Sequence, residues 1–133
     1  MTQQVQVDIR QIGASTSECI ARQHKTLSDR PEAKGGADRG PMGGEMLLMG
    51  LGGCFMSNLL AAVRSRAADV SDLSITLTAT LDEAPGRFSA VKLAISGNYA
   101  DKAAMEKLVT IAERGCIVAN TIKSAVRLSF EIV

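Results

Sequence analysis

Along residues 73–81 every second position is apolar: Leu73, Ile75, Leu77, Ala79 and Leu81 alternate with Ser or Thr. A period of two puts one set of side chains on one face, so the stretch predicts a half-buried strand. Residues 82–86 read as a turn, and a second strand follows over 87–96, with Val91, Leu93 and Ile95 on one side and Lys92 and Ser96 on the other. Together they predict a hairpin. Alternation returns over 126–132, where Val126, Leu128, Phe130 and Ile132 are divided by Arg127, Ser129 and Glu131. Near the other end, Val5, Val7 and Ile9 alternate with Gln6 and Asp8, a further half-buried strand, with the less regular 16–27 as its expected hairpin partner.

The period changes elsewhere. Met105, Leu108, Val109 and Ala112 recur at helical spacing, Asp101 stands at the N-cap position, and Gly115 stands where a C-terminal stop belongs. Residues 117–124 predict a short further helical turn. Between 28 and 44, SDRPEAKGGADRGPMGG holds five glycines and two prolines, which marks a loop. It leads into a long apolar helix over about 44–68. The order ββ, long helix, ββ, helix, β places the chain in the α+β class, as one domain spanning 1–133.

Residues 46–63, MLLMGLGGCFMSNLLAAV, are uncharged throughout, which reaches the lower length limit of a membrane-spanning helix. Three glycines, Ser57 and Asn58 inside it, and the amphipathic strands that need a core to pack on, argue for a buried helix instead. A chain of 133 residues buries roughly 65–70% of its unfolded surface, too little to enclose that helix on every side. A second, identical subunit is therefore expected over part of it.

Charge and composition remove other classes. With 15 basic and 14 acidic residues the formal charge is +1, and with three Phe, one Tyr and no Trp the chain lacks both the basic footprint and the stacking platforms of a nucleic-acid binder. Nothing marks an anionic membrane surface as a partner. The N-terminus MTQQVQVDIR has no apolar leader and the cysteine count is three, so a reducing, cytoplasmic address is expected.

In such a compartment cysteines act as thiols. Cys116 follows the Gly115 stop and starts a new turn, where unpaired backbone amides favour a negative sulfur. Cys54 lies well inside the long helix, where amides are already used, but Gly50, Gly52 and Gly53 leave room for a backbone or a substrate to come close. Spacing alone favours the plainer alternative, a small core residue. Arg22, Arg30 and Arg39 are candidates to stabilise a thiolate, although each reads more simply as a solvated side chain. His24 could pair with a thiolate but reads as exposed, and Cys19 reads as packing.

The stretch GPMGGEMLLMGLGGC, a glycine and proline loop followed by an acidic residue, a Leu/Met run and GGC, resembles the first signature of the OsmC/Ohr family of thiol-dependent peroxidases. AERGCIVANTI resembles the second. Both occur in the family's order and at a similar separation, with two strands between them, and the GPMGGEMLL form is closer to the broad OsmC-like branch than to the Ohr branch. The resemblance implies an α+β fold of antiparallel sheets around a long central helix, assembled as an intertwined homodimer. It also implies a peroxidatic Cys54, a resolving Cys116, organic hydroperoxides as substrates, a lipoyl-type dithiol as reductant, and no metal, haem or flavin.

The family's peroxidases carry a glutamate ten residues before the first cysteine, paired with an arginine from the N-terminal hairpin. Here Gly44 holds that position and Glu45 follows it, which at about 100° per residue turns the carboxylate to the face opposite Cys54. Glu45 stays with the arginines as a candidate to support the thiolate, beside the plainer reading of an acidic residue in the first helical turn. Two readings follow. In one, the thiol pair turns over hydroperoxides in oxidative-stress defence; in the other, the same cleft senses oxidation or holds an apolar ligand without turnover.

Overall fold

A computed structural model describes residues 1–133. By their internal contacts they form two compact units, Met1–Leu47 and Leu48–Val133.

The first unit is a three-stranded antiparallel meander, β1 (Asp8–Gln11), β2 (Ser17–Ala21) and β3 (His24–Ser28). Where one hairpin partner is expected over 16–27, two strands occur. They are separated by a tight turn in which Arg22 takes a left-handed conformation with φ of 57°. No glycine, proline or asparagine signals that turn in SECIARQHKTLS, so the pattern conceals it. The first strand also begins later than alternation suggests, because pairing starts only at Asp8 opposite Ile20. Its expected burial is not met: Val7 and Ile9 remain 58% and 62% exposed. Nothing in the chain's first unit covers that apolar face.

Polar contacts organise this unit in place of a hydrophobic core, since its only buried residues are Thr16 and Asp29. The Thr16 hydroxyl donates to Asp29 Oδ2 at 2.7 Å, and the amides of Arg30 and Arg39 donate to the same carboxylate at 2.7 and 3.2 Å. One carboxylate thereby ties β2 to both ends of the loop from 29 to 41. The Thr16 hydroxyl above all, helped by Ser15 and the two amides, outweighs desolvation and holds the Asp29 carboxyl well below the usual carboxylate range.

The second unit contains the apolar core. Long strands β4 (Ser71–Glu83) and β5 (Gly86–Asn98) form the expected hairpin, and β6 (Arg127–Ile132) lies on the far side of β5. β6 runs parallel to β5, so the sheet is mixed. The two helices α2 (Lys102–Gly115) and α3 (Ile117–Ile122) supply the connection a parallel pair requires. One sheet face carries Val91, Leu93 and Ile95, all buried, while the Ser and Thr positions of β4 stay exposed. Asp101 caps α2, accepting from the amides of Ala103 and Ala104 at 3.0 and 3.2 Å, and Met105, Leu108, Val109 and Ala112 form the helix's buried stripe.

Helix α1 (Gly43–Ser65) is long and apolar enough to cross a membrane by length and composition. It serves instead as a core helix, with Leu51, Phe55, Leu59 and Ala62 buried at helical spacing and the Phe55 ring 5.1 Å from that of Phe130 on β6. Each large apolar side chain buried this way contributes roughly 1.5–3 kcal/mol. The helix glycines do different jobs. A Cβ on Gly52 would come within 2.7 Å of Leu77 on β4, so this position permits close helix–sheet approach, whereas Gly50 and Gly53 face open space.

Gly52→Val is expected to lower stability by about 1–3 kcal/mol, because Leu77 must leave its place, and a shifted urea midpoint measures the loss. The depressed carboxyl of Asp29 contributes stability that is complete above its unfolded pKa of about 4 and is lost as pH falls through the lower folded value. Urea midpoints measured down an acid series should fall less steeply in Asp29→Asn than in the parent, and parallel curves would show that Asp29 has no such role.

Candidate functional site

Two helices bring the paired cysteines together. Cys54 sits on α1 beside the buried Phe55, and Cys116 occupies the single residue between α2 and α3. Gly115 closes α2, and the extended backbone of Cys116, with φ of −78° and ψ of 110°, turns the chain so that a second helix starts at once. That corner explains the local sequence. The Cys116 amide donates to the carbonyl of Glu113 as α2 ends, and the Cys116 sulfur accepts from the Ala119 amide at 3.5 Å, acting as the N-cap of α3.

The first amides of α3 are the ones a helix leaves without an internal partner. Among them, the amides of Val118 and Ile117 favour the ionised form of Cys54. Partial burial pushes the Cys54 thiol up, but these two amides and the neighbouring Cys116 thiol outweigh it, and the net shift is downward. Cys116 goes the other way. It has no solvent exposure, and burial together with the adjacent Cys54 raises its thiol above the ordinary value despite the Ala119 amide. The sequence places anion-favouring amides near Cys116, and the folded chain does set the Ala119 amide on its sulfur; the net shift toward the thiolate nevertheless falls on Cys54.

Both are free thiols, and each shifts the ionisation of the other. One is half-buried and inclined to ionise, and the other is buried and inclined to stay protonated. Such an asymmetric pair can supply a nucleophile and a second thiol that closes a disulfide.

The remaining candidates belong to the N-terminal unit. Glu45 reaches back to accept from the Met42 amide at 2.8 Å, which makes it a helix cap of the capping-box kind. Arg22, Arg30 and Arg39 are exposed and take part in no ion pair, and the unit's ion pair joins Arg10 to Glu18. His24 is exposed at the start of β3, and Cys19 is half-buried in β2 opposite Ile9 and Thr26. No group of three or more His, Cys, Asp or Glu side chains converges in a way that could hold a metal ion.

One contributor escapes the sequence reading. Asn58, a turn beyond Cys54, donates from Nδ2 to the Cys54 carbonyl at 2.9 Å and lies 3.9 Å from its sulfur. The signal that marks it is an amide within a run otherwise almost wholly apolar.

Comparisons with known proteins agree with this architecture. Protein YhfA of Escherichia coli (strain K12) is 32% identical over 102 residues, covering 72% of this chain and 76% of YhfA. An OsmC-like protein from Mycoplasma pneumoniae superposes with a TM-score of 0.86 at 14% identity, covering 100% of this chain and 98% of that one. An organic hydroperoxide resistance protein from Legionella pneumophila superposes at 0.74 with 18% identity, covering 99% and 98%. With the profile of the OsmC-like protein family matching residues 35–131, the chain belongs to the OsmC-like family.

Proposed function

We propose that this protein is a thiol-dependent peroxidase that reduces organic hydroperoxides in oxidative-stress defence. The observation that carries the reading is the asymmetric thiol pair: two free thiols, a half-buried Cys54 whose ionisation is favoured and a fully buried Cys116 whose ionisation is disfavoured. The hydroperoxide resistance named for the Legionella neighbour points to the same substrate class.

The cycle has three steps. The Cys54 thiolate attacks the outer peroxide oxygen; the S–O bond forms, the O–O bond breaks, and the alkoxide leaves as an alcohol after taking a proton. Cys116 then attacks the sulfenic sulfur of Cys54, forming the S–S bond and releasing water. An external dithiol of the lipoyl type reduces that disulfide by exchange and is itself oxidised, which returns both thiols. Glu45 is assigned to the helix cap and not to this chemistry, and the arginines Arg22, Arg30 and Arg39 are assigned no step.

Cys54→Ser should consume no cumene hydroperoxide with dihydrolipoamide above the uncatalysed rate, whereas Cys116→Ser should react once and hold a sulfenic acid that dimedone traps. Unimpaired turnover in Cys54→Ser sinks the proposal.

The protein works as a homodimer. Two apolar surfaces support this: the sheet face bearing Val7 and Ile9, and the face of α1 where Met49 and Leu60, at least half exposed, flank Gly50 and Gly53. A second copy is the partner that covers both without a further protein. Sedimentation should give twice the chain mass at micromolar concentration, and Leu60→Glu should shift the population toward monomer. A monodisperse monomer for the parent overturns the assembly but leaves the thiol chemistry standing.

A further inference from the structure

Asn58 occupies the gap between α1 and the α2–α3 corner. On one side its Nδ2 meets two acceptors of Cys54, the carbonyl oxygen at 2.9 Å and the sulfur at 3.9 Å. On the other, its Oδ1 stands 3.1 Å from the point where a Cβ on Gly115 would sit. The orientation of the amide follows from the chemistry, because the reverse assignment would set its oxygen against the Cys54 carbonyl and a thiolate, with nothing donated to either. Asparagine is a poorer helix former than the Leu and Ala around it, so helix propensity gives no reason for it here.

We propose that Asn58 is a positioning residue for Cys54. Its N–H donates to the thiolate from the α1 side, while the amides of Ile117 and Val118 favour the same negative charge from the α3 side. The carboxamide also spaces the corner, and Gly115 lacks a side chain because Asn58 fills that room. The titratable group facing Cys54 from the corner is the Cys116 thiol. A carboxylate at position 58 would have the same shape and the opposite effect, placing a negative charge beside a sulfur that must itself ionise. This inference rests on the reading of Cys54 as a reactive thiolate.

Iodoacetamide labelling of the intact protein, with Cys54 resolved by peptide mass spectrometry, separates the two. Asn58→Leu removes the donor while keeping the volume, and Cys54 labelling at neutral pH should slow about three- to tenfold, the worth of one hydrogen bond. Asn58→Asp should be slower still, and both differences should vanish at alkaline pH, where the thiol ionises in every variant. Asn58→Ala serves in place of Asn58→Leu if the latter does not fold. Gly115→Ala, which displaces the carboxamide, should slow labelling when Asn58 is present and have no effect in the Asn58→Ala background. Equal rates for the parent and a folded Asn58→Leu overturn this inference alone. A parent Cys54 no faster than a free cysteine overturns both it and the peroxidase reading.

Discussion

The Cys54 thiol, in the middle of α1, is drawn toward ionisation by backbone N–H groups of another helix, those of Ile117 and Val118 at the start of α3. Amides inside a helix are committed to carbonyls four residues back, and only the first turn has any to spare. A thiolate in the middle of α1 therefore needs another helix to begin beside it. The Gly115–Cys116 corner meets that need, since α2 ends and α3 starts within one residue. The mixed sheet follows from the same requirement: two helices bridge β5 to β6, and the strand that returns lies parallel.

Much of the second unit is written in periodicity. The hairpin of β4 and β5, the capped α2 and the alternating β6 each have a pattern matched to the face they bury, and the helix stop at Gly115 falls where a glycine predicts it. Partner strand direction has no such signature, because alternation is the same for parallel and antiparallel neighbours. The turn at Arg22 was likewise hidden, as a non-glycine residue adopts a left-handed conformation that composition does not announce. At the site, Cys54 and Cys116 were legible as a pair through their flanking motifs. Which of them the amides would favour was not, since that depends on the direction in which a six-residue helix points. Asn58 was visible only as an oddity of composition until its carboxamide was placed between Cys54 and Gly115.

The N-terminal unit rests on a different kind of order. Its buried pair, Thr16 and Asp29, is polar, and its apolar side chains lie on an uncovered face. Alternation in the first strand states correctly which side chains share a face, but it does not bury them: Val7 and Ile9 stay exposed. Hydrogen bonds to one carboxylate shape the loop from 29 to 41, and Gly36 lets that loop fold onto Arg30, where a Cβ would strike the Arg30 carbonyl oxygen.

The Cys116 sulfur is at once a thiol and the acceptor that caps α3 through the Ala119 amide. Any new bond at that sulfur competes with the cap, and losing an N-cap costs a helix about 0.5–2 kcal/mol. The same turn is also held by the Asn120 amide on the Cys116 carbonyl and by Asn120 Nδ2 on the Arg114 carbonyl. One atom therefore belongs both to the thiol pair and to the start of the segment from Ile117 to Ile122, and a substitution at Cys116 changes a helix end as well as a thiol.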